Sequence, residues 1–193
     1  MSQLLEIPVE PLSSESFVSF GEVIDEFPDS AHADDGFKAM KPVDFTIDGA
    51  VDLQVIRYDS KPMKFHLMER HLHVTETRVP LTPEPVVLVV AQSTSPDDRA
   101  ALPSLESVRA FLLNGRQGVL LGTGTWHALD CFPVRSRHAD FAFISEAATE
   151  KELRETPNLT DCRRSLVVDL LKELDVCFAV IDVAGLLYGS SGG

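Results

Sequence analysis

Residues that can carry acid–base or metal chemistry are concentrated in two separate stretches of the chain. The first, residues 66–76, contains three histidines, two glutamates and an arginine, and the second is the Trp126-His127 pair. Neutral imidazole and carboxylate groups are ligands that nickel, manganese, zinc and iron take in proteins. The spacing predicts a divalent metal site, with no organic cofactor, formed by His71, His73, Glu76 and His127. The alternative is that His73 or Glu76 simply faces solvent at a strand end.

The histidine-rich stretch is predicted to be a strand, on which successive side chains point to opposite faces. Glu69, His71 and His73 then share one face, whereas His66 and Arg70 point to the other. A metal bound at the first face would keep coordination positions open for a substrate. It would lower the pKa of a bound hydroxyl group and hold that group in place.

The rest of the sequence must supply the elements that position these residues. Short apolar segments recur roughly every 8–12 residues with Gly, Pro or Asp beside them, which is typical of a mainly β sandwich or barrel. Residues 86–91 form a continuous apolar run, as expected of a buried strand. Residues 159–174 are predicted to be a helix, because their leucines fall on one helical face, and residues 25–41 a polar loop.

Composition bounds the class of protein. The chain has 193 residues, enough for one domain of ordinary size and marginal for two. Its net charge of −13 disfavours nucleic-acid and membrane binding, although a buried site can still take a small anionic substrate. Three widely spaced cysteines without a CxxC motif indicate free thiols in a reducing compartment. The N-terminus lacks an apolar run of secretory length, so we expect a cytoplasmic protein.

Several motifs together resemble the ureidoglycolate lyase family over about residues 4 to 146. They keep the family's order and approximate spacing: Glu69-Arg70-His71, the apolar run 86–91, Asn114-Gly115-Arg116-Gln117-Gly118 and Thr125-Trp126-His127. The resemblance implies a cupin-like double-stranded β-barrel (a jelly roll), which we assign to residues 1–148, and a homodimer. Residues 149–193 are then a C-terminal helical extension, packed on the barrel or at the dimer interface.

The resemblance also implies an activity, which is cleavage of ureidoglycolate to glyoxylate and urea in purine and allantoin degradation. Glu69, His71 and His127 match family motif positions and are the expected catalytic residues. The expected substrate-binding residues are Arg70, Trp126 and His66. Strand alternation leaves a structural role for Arg70 as the alternative.

Two other functions stay open at this point. One is a different metal-dependent cupin enzyme, namely an isomerase, lyase or dioxygenase that acts on another small oxygenated acid. The other is a cupin that binds a small metabolite without catalysis.

Overall fold

The computed structural model describes residues 2–27 and 38–188, and within these ranges the chain is mainly β. The strands in chain order are β1 (Gln3–Pro11), β2 (Gly21–Ile24), β3 (Val51–Asp59), β4 (Lys64–Phe65), β5 (Leu67–His71), β6 (Glu76–Pro80), β7 (Val86–Ala91), β8 (Arg109–Leu113), β9 (Gly118–Leu121), β10 (Trp126–Ala128), β11 (Phe132–Pro133), β12 (His138–Glu146), β13 (Ser165–Asp169) and β14 (Val176–Ile181). Residues 28–37, most of the predicted loop 25–41, lie outside the described residues.

Helices are short and concentrated in the last quarter of the chain. They are α1 (Ser14–Phe17), α2 (Ala147–Glu155), α3 (Leu170–Leu174) and α4 (Val183–Tyr188), with single 3-10 turns at Leu105–Ser107 and Leu159–Asp161. Among the described residues, none of these helices has the length and apolar character needed to cross a lipid bilayer.

Two sheets build the fold. The large sheet has the strand order β13-β5-β10-β7-β8-β1-β14-β4, with β11 also paired to β7. The small sheet has the order β2-β9-β6-β12-β3, and its pairings are antiparallel. In the large sheet β1 runs parallel to both β8 and β14, while the other pairings are antiparallel. This architecture confirms the predicted mainly β, cupin-like barrel.

The position of strand β7 in the fold explains why its sequence is apolar without interruption. Val86, Leu88 and Val90 pack into a core cluster that also contains residues of the small sheet, so this cluster lies between the two sheets. Val87 and Val89 point the other way, into a second core cluster that the large sheet forms with its own outer strands. Both faces of β7 are therefore buried, and an alternating polar pattern would be unfavourable there.

The prediction of one helix over residues 159–174 is wrong. Ser165–Asp169 is strand β13, which pairs antiparallel with the edge of β5, and the helical parts of this range are a 3-10 turn at Leu159–Asp161 and the short α-helix Leu170–Leu174. The Asp169 carboxylate caps this short helix by accepting hydrogen bonds from the backbone N–H groups of Leu171 and Lys172. The open edge of β5 offers β13 a full set of backbone hydrogen bonds, which outweighs a leucine spacing that also suits a helix.

The segment after residue 148 is not only a helical extension. It contributes β13 and β14 to the large sheet, where β14 lies between β1 and β4. The division of the chain into domains at residue 148 stays a prediction.

Candidate active site

Strand β5 presents two polar residues to the space between the sheets. Glu69 and His71 are two positions apart and therefore share a face of the strand. The antiparallel pairing of β10 with β5 places His127 directly opposite Glu69, although the two are far apart in sequence. In the small sheet, β6 contributes Glu76 and Arg78 in the same alternating way.

Residues of β3, β5, β6, β12 and helix α2 line a cavity of about 120 Å³. It is lined by Gln54, Ile56, Tyr58, Glu69, His71, Glu76, Arg78, Leu129, Phe143, Glu150 and Leu153. The polar and charged residues of this list come from β3, β5, β6 and α2, so the cavity is built from both sheets and a covering helix.

A buried chain of ion pairs crosses one wall of the cavity. His71 Nε2 lies 2.9 Å from Glu76 Oε2, and Arg78 Nη2 lies 2.5 Å from the other oxygen, Glu76 Oε1. The second ring nitrogen of His71, Nδ1, is 2.9 Å from Ser165 Oγ. All three charged side chains are almost completely buried. The carboxylate of Glu76 is thus held between two cationic groups.

The pairing of these groups sets their pKa values. Burial by itself would lower the pKa of His71, but the hydrogen bond and the charge of Glu76 raise it to about 9. Burial by itself would raise the pKa of Glu76, yet the positive charge of Arg78 and the hydrogen bond from His71 hold it well below its ordinary value. His71 is therefore protonated and Glu76 ionised at neutral pH.

Glu69 and His127 respond to burial in the opposite sense. Burial raises the pKa of Glu69 to about 7, an effect that the charge of His71 partly offsets. Burial lowers the pKa of His127 to about 3, and the charges of Arg78 and His71 act in the same direction. The His127 ring is neutral at pH 7, and its Nδ1 lies 3.1 Å from the carbonyl oxygen of Ala128. Its Nδ1–H donates to that carbonyl, so that Nε2 carries a free lone pair.

Several buried polar atoms around the cavity have no hydrogen-bond partner among the described residues. They include His127 Nε2, Arg78 Nε and Nη1, and Glu150 Oε1. An unsatisfied buried polar group costs about 1–3 kcal/mol, so proteins rarely leave several of them in one place without a functional reason. Their concentration here indicates a binding site for a polar molecule or ion.

Three residues of this site could hold a metal ion. Glu69, His71 and His127 each offer one ligand atom, and these atoms lie within 4.8 Å of one another. Two imidazoles and a carboxylate are a donor set that suits the divalent metals expected from the sequence, and the free Nε2 of His127 is ready to ligate. His71 would have to release its proton, and with it its bond to Glu76, to join such a site.

The predicted metal ligands are only partly brought together. Strand β5 ends at His71 and the chain bends over the next two residues, so strand alternation no longer applies and the His73 side chain is exposed. Glu76 contacts His71 but is engaged by Arg78, and Glu69 takes the place of the carboxylate ligand in the group of three.

The three predicted substrate-binding residues do not line the cavity. Arg70 lies on the opposite face of β5, is fully buried, and donates hydrogen bonds to the carbonyl oxygens of Thr94, Ser95 and Asp98. Its guanidinium also stacks over the Trp126 ring, at 5.0 Å from the ring centroid. The alternation that directs Glu69 into the cavity directs Arg70 away from it. These contacts support the alternative interpretation, in which Arg70 has a structural role.

His66 lies in a different part of the surface. Its Nδ1 is 2.8 Å from Asp169 Oδ1, the same oxygen that caps α3. This pair joins the start of β5 to the end of β13, and its role is to connect two elements. Neither partner lines the cavity that contains Glu69 and His71.

Sequence reasoning missed four polar residues that line the cavity: Gln54, Tyr58, Arg78 and Glu150. Arg78 could have been found, because it lies two residues after Glu76 on the same strand and must share its face. Gln54 and Tyr58 are on β3, where alternate residues face the cavity. Glu150 carries no local signal, since it reaches the site only through the packing of α2.

The fold and this site define a cupin-like β-barrel protein with a buried histidine–carboxylate pocket. The chain belongs to the ureidoglycolate lyase family, whose characteristic sequence it matches over residues 4–164.

Relatives carry the same name. The chain is 33% identical over 179 residues to Ureidoglycolate lyase 1 of Rhizobium meliloti (strain 1021). This match covers 80% of this chain and 100% of the relative. It is 35% identical over 129 residues to the Ureidoglycolate lyase of Azotobacter vinelandii, covering 63% of this chain and 74% of that protein. It is 31% identical over 130 residues to the Ureidoglycolate lyase of Escherichia coli (strain K12), and this match covers 64% of this chain and 78% of that protein.

Proposed function

We propose that this protein cleaves a C–N bond of ureidoglycolate to give glyoxylate and urea, and that the reaction takes place in the cavity between the two sheets. Membership of the family and the names of the relatives support the substrate. The observation in the structure that carries the proposal is the set of buried, unpartnered polar atoms around the cavity. The free N–H donors of Arg78 suit the carboxylate of a small anionic substrate.

The reaction needs two proton transfers. When the carbinol hydroxyl loses its proton, the carbonyl of glyoxylate forms and the C–N bond breaks. The electron pair of that bond goes to the ureido nitrogen, which takes up a proton as urea leaves. Glu69 is suited to both transfers, because a pKa of about 7 keeps its carboxylate and its carboxylic acid both populated near neutral pH.

The remaining groups of the site stabilise charge. His71 is kept protonated by Glu76, and Arg78 is always charged, so both supply positive charge to a cavity in which an oxyanion develops. A divalent metal held by Glu69, His71 and His127 would take over this role as a Lewis acid on the substrate oxygens, because His71 would then bind it in the neutral form and would no longer carry the positive charge. A carboxylate has two oxygens, so Glu69 can still accept a proton on the one that is not a ligand.

A direct assay tests this function. Purified protein, either metal-free or loaded with nickel, manganese, zinc or iron, is mixed with ureidoglycolate, and the release of glyoxylate and urea is followed. At least one form is expected to release the two products in equal amounts. Glu69→Gln should slow the best form by about 10²-fold or more, as for loss of a general base. His66→Ala is the matched control on the same strand region and should retain the rate. Absence of both products with every metal would refute the proposal.

We further propose that the protein is a homodimer. Strand β3 is the edge of the small sheet, and its Val51, Leu53 and Val55 are 56%, 68% and 70% exposed. An exposed apolar edge strand is a surface that proteins usually cover, which supports a second copy here. Light scattering on a sizing column should give twice the chain mass, and Leu53→Lys should reduce it to one chain mass.

We also propose a cytoplasmic location within allantoin degradation. Cys131, Cys162 and Cys177 are all free thiols in the structure, which suits a reducing compartment. Fractionation of cells that produce the protein should place it with cytoplasmic markers, and recovery with periplasmic or secreted proteins would contradict the location.

A further inference from the structure

Helix α2 brings a carboxyl group to the cavity, and this group has no role in the proposed reaction. Glu150 lies in the first turn of this helix and lines the cavity together with Leu153. Its Oε1 is buried and has no hydrogen-bond partner among the described residues. The neighbouring lining residue from β3, Gln54, already donates its amide to Asp52 Oδ2 at 2.8 Å. Glu150 therefore offers a free hydrogen-bond acceptor to the cavity.

The position of Glu150 is fixed by a buried anchor at the start of α2. Thr149 Oγ1 donates to Glu146 Oε2 at 2.6 Å, and Glu146 itself is completely buried. Arg164 forms a two-point pair with Glu146, with Nε 2.7 Å from Oε2 and Nη2 2.6 Å from Oε1. Two-point arginine–carboxylate pairs fix geometry as well as charge, so α2 is held in one place against the barrel. A group held in this way can recognise a ligand without the cost of ordering it on binding.

The free polar atoms of the cavity are of two kinds. Arg78 has only N–H donors to offer, whereas Glu150 Oε1 and His127 Nε2 are acceptors, and of these two residues Glu150 is the one that lines the cavity. Ureidoglycolate has two chemically different ends, an anionic carboxylate and a ureido group with three N–H donors. The carboxylate suits Arg78 and would be repelled by an ionised Glu150, while the ureido N–H groups suit a carboxyl oxygen. Donor and acceptor therefore match the substrate in one orientation.

We propose that Glu150 determines specificity for the ureido group by accepting a hydrogen bond from one of its N–H groups. This inference rests on the proposed function, because it assumes that ureidoglycolate occupies the cavity. It adds a residue outside the two sequence stretches that were expected to carry the chemistry. A site that hydrogen-bonds a substrate N–H rejects analogues that lack it far more strongly than an apolar pocket rejects a difference in size.

Two small ligands separate this role from general packing. N-carbamoylglycine has the carboxylate and the ureido group, whereas glycolate has the carboxylate and hydroxyl but no ureido group. Their affinities for the metal-loaded protein are measured by calorimetry, for the wild type, Glu150→Leu and Glu150→Gln. Leu153→Ala is the matched control, because it alters the same helix face of the cavity without removing a polar atom.

Glu150→Leu should weaken the binding of N-carbamoylglycine about 10- to 100-fold, which is the range for one hydrogen bond to a charged group. The affinity for glycolate should change less than about twofold. Glu150→Gln keeps one acceptor oxygen and should lie between the wild type and Glu150→Leu. Leu153→Ala should change both ligands by a similar factor. An equal loss for both ligands in Glu150→Leu, or no loss for either, would overturn the inference.

The same measurements distinguish this inference from the proposed function. A wild type that turns over ureidoglycolate, with Glu150→Leu binding both ligands as the wild type does, overturns only the role of Glu150. A wild type that binds N-carbamoylglycine selectively through Glu150 but releases no glyoxylate overturns the activity and supports ureido recognition. Thermal melting of each variant confirms that the folded protein is being compared.

Discussion

Replacing Glu76 by Gln should change the pH dependence of stability in the metal-free protein. In the folded protein Glu76 raises the pKa of His71 from its ordinary value of 6.5 to about 9, which corresponds to about 3 kcal/mol of stabilisation. Because the folded-state pKa is the higher one, this stabilisation is present in full below pH 6.5 and is lost as the pH rises through 9. The Glu76→Gln variant lacks the carboxylate charge that produces this stabilisation.

The substitution also leaves Arg78 buried without its carboxylate. Breaking a buried pair by removing one partner costs about 3–5 kcal/mol, so near pH 6 the variant should be less stable than the wild type by this amount in addition to the about 3 kcal/mol that it loses at His71. The difference should shrink by about 3 kcal/mol as the pH approaches 9.5, because His71 then loses its proton in the wild type as well. Urea unfolding with a chelator present, followed by the fluorescence of the single tryptophan, Trp126, measures both values.

A second buried carboxyl provides the control. Glu84 accepts hydrogen bonds from the backbone N–H groups of Arg135 and Ser136, and although burial opposes this, these bonds lower its pKa. Glu84→Gln should therefore reduce stability by the same amount at pH 6.5 and at pH 9. If the stability curves of the wild type and Glu76→Gln stay parallel across this range, Glu76 does not hold the proton on His71 and the electrostatic account of the site is wrong.

Three further predictions test other parts of the site. Metal affinity should rise about tenfold or more per pH unit from pH 7 to 8, with release of more than one proton per ion at pH 7 and about one at pH 8, since His71 must be deprotonated to ligate and Glu69 is still partly protonated at pH 7; calorimetry in two buffers would contradict this by showing a flat affinity. Arg78→Lys should raise KM about tenfold or more with a smaller change in kcat, because lysine replaces a planar fork by a single point charge; an unchanged KM contradicts it. Arg70→Met should destabilise the fold by about 3–5 kcal/mol, through three lost carbonyl contacts, and expose residues 92–103 to protease while leaving metal affinity unchanged; equal protease resistance contradicts it.

The sequence was most informative where a residue's environment is decided by its own strand. The apolar run 86–91 predicts a buried strand because each side chain must be apolar if both faces of the sheet are covered. Alternation along residues 67–71 separates Glu69 and His71 from Arg70, and the structure places them on opposite faces in that way. These features follow from the two-residue period of a strand and need no knowledge of the rest of the fold.

The sequence-based predictions were wrong or incomplete where a strand ends, or where an element far away in the sequence determines a residue's conformation or position. His73 follows the pattern of Glu69 and His71 in the sequence, but the strand stops at His71 and the pattern stops with it. The C-terminal segment satisfies a helical spacing, yet the free edge of β5 recruits Ser165–Asp169 as a strand. Glu150 has no local signal, because its place in the cavity depends on the Glu146–Arg164 pair that holds α2.

The site also shows how one acidic protein can receive an anion and still contain a usable base. The whole chain carries a net charge of −13, but the cavity wall holds Arg78 and a protonated His71 around the ionised Glu76. Because Arg78 compensates Glu76, the remaining positive charge of His71 is available to an anionic ligand. Burial then separates the other two groups: it raises the pKa of Glu69 towards neutrality and keeps His127 uncharged. Titratable neighbours whose surroundings push their pKa values apart are what acid–base chemistry at neutral pH requires. The fixed Glu76–Arg78 pair is therefore as important to the chemistry as the residues that exchange protons, since without it His71 would lose its proton.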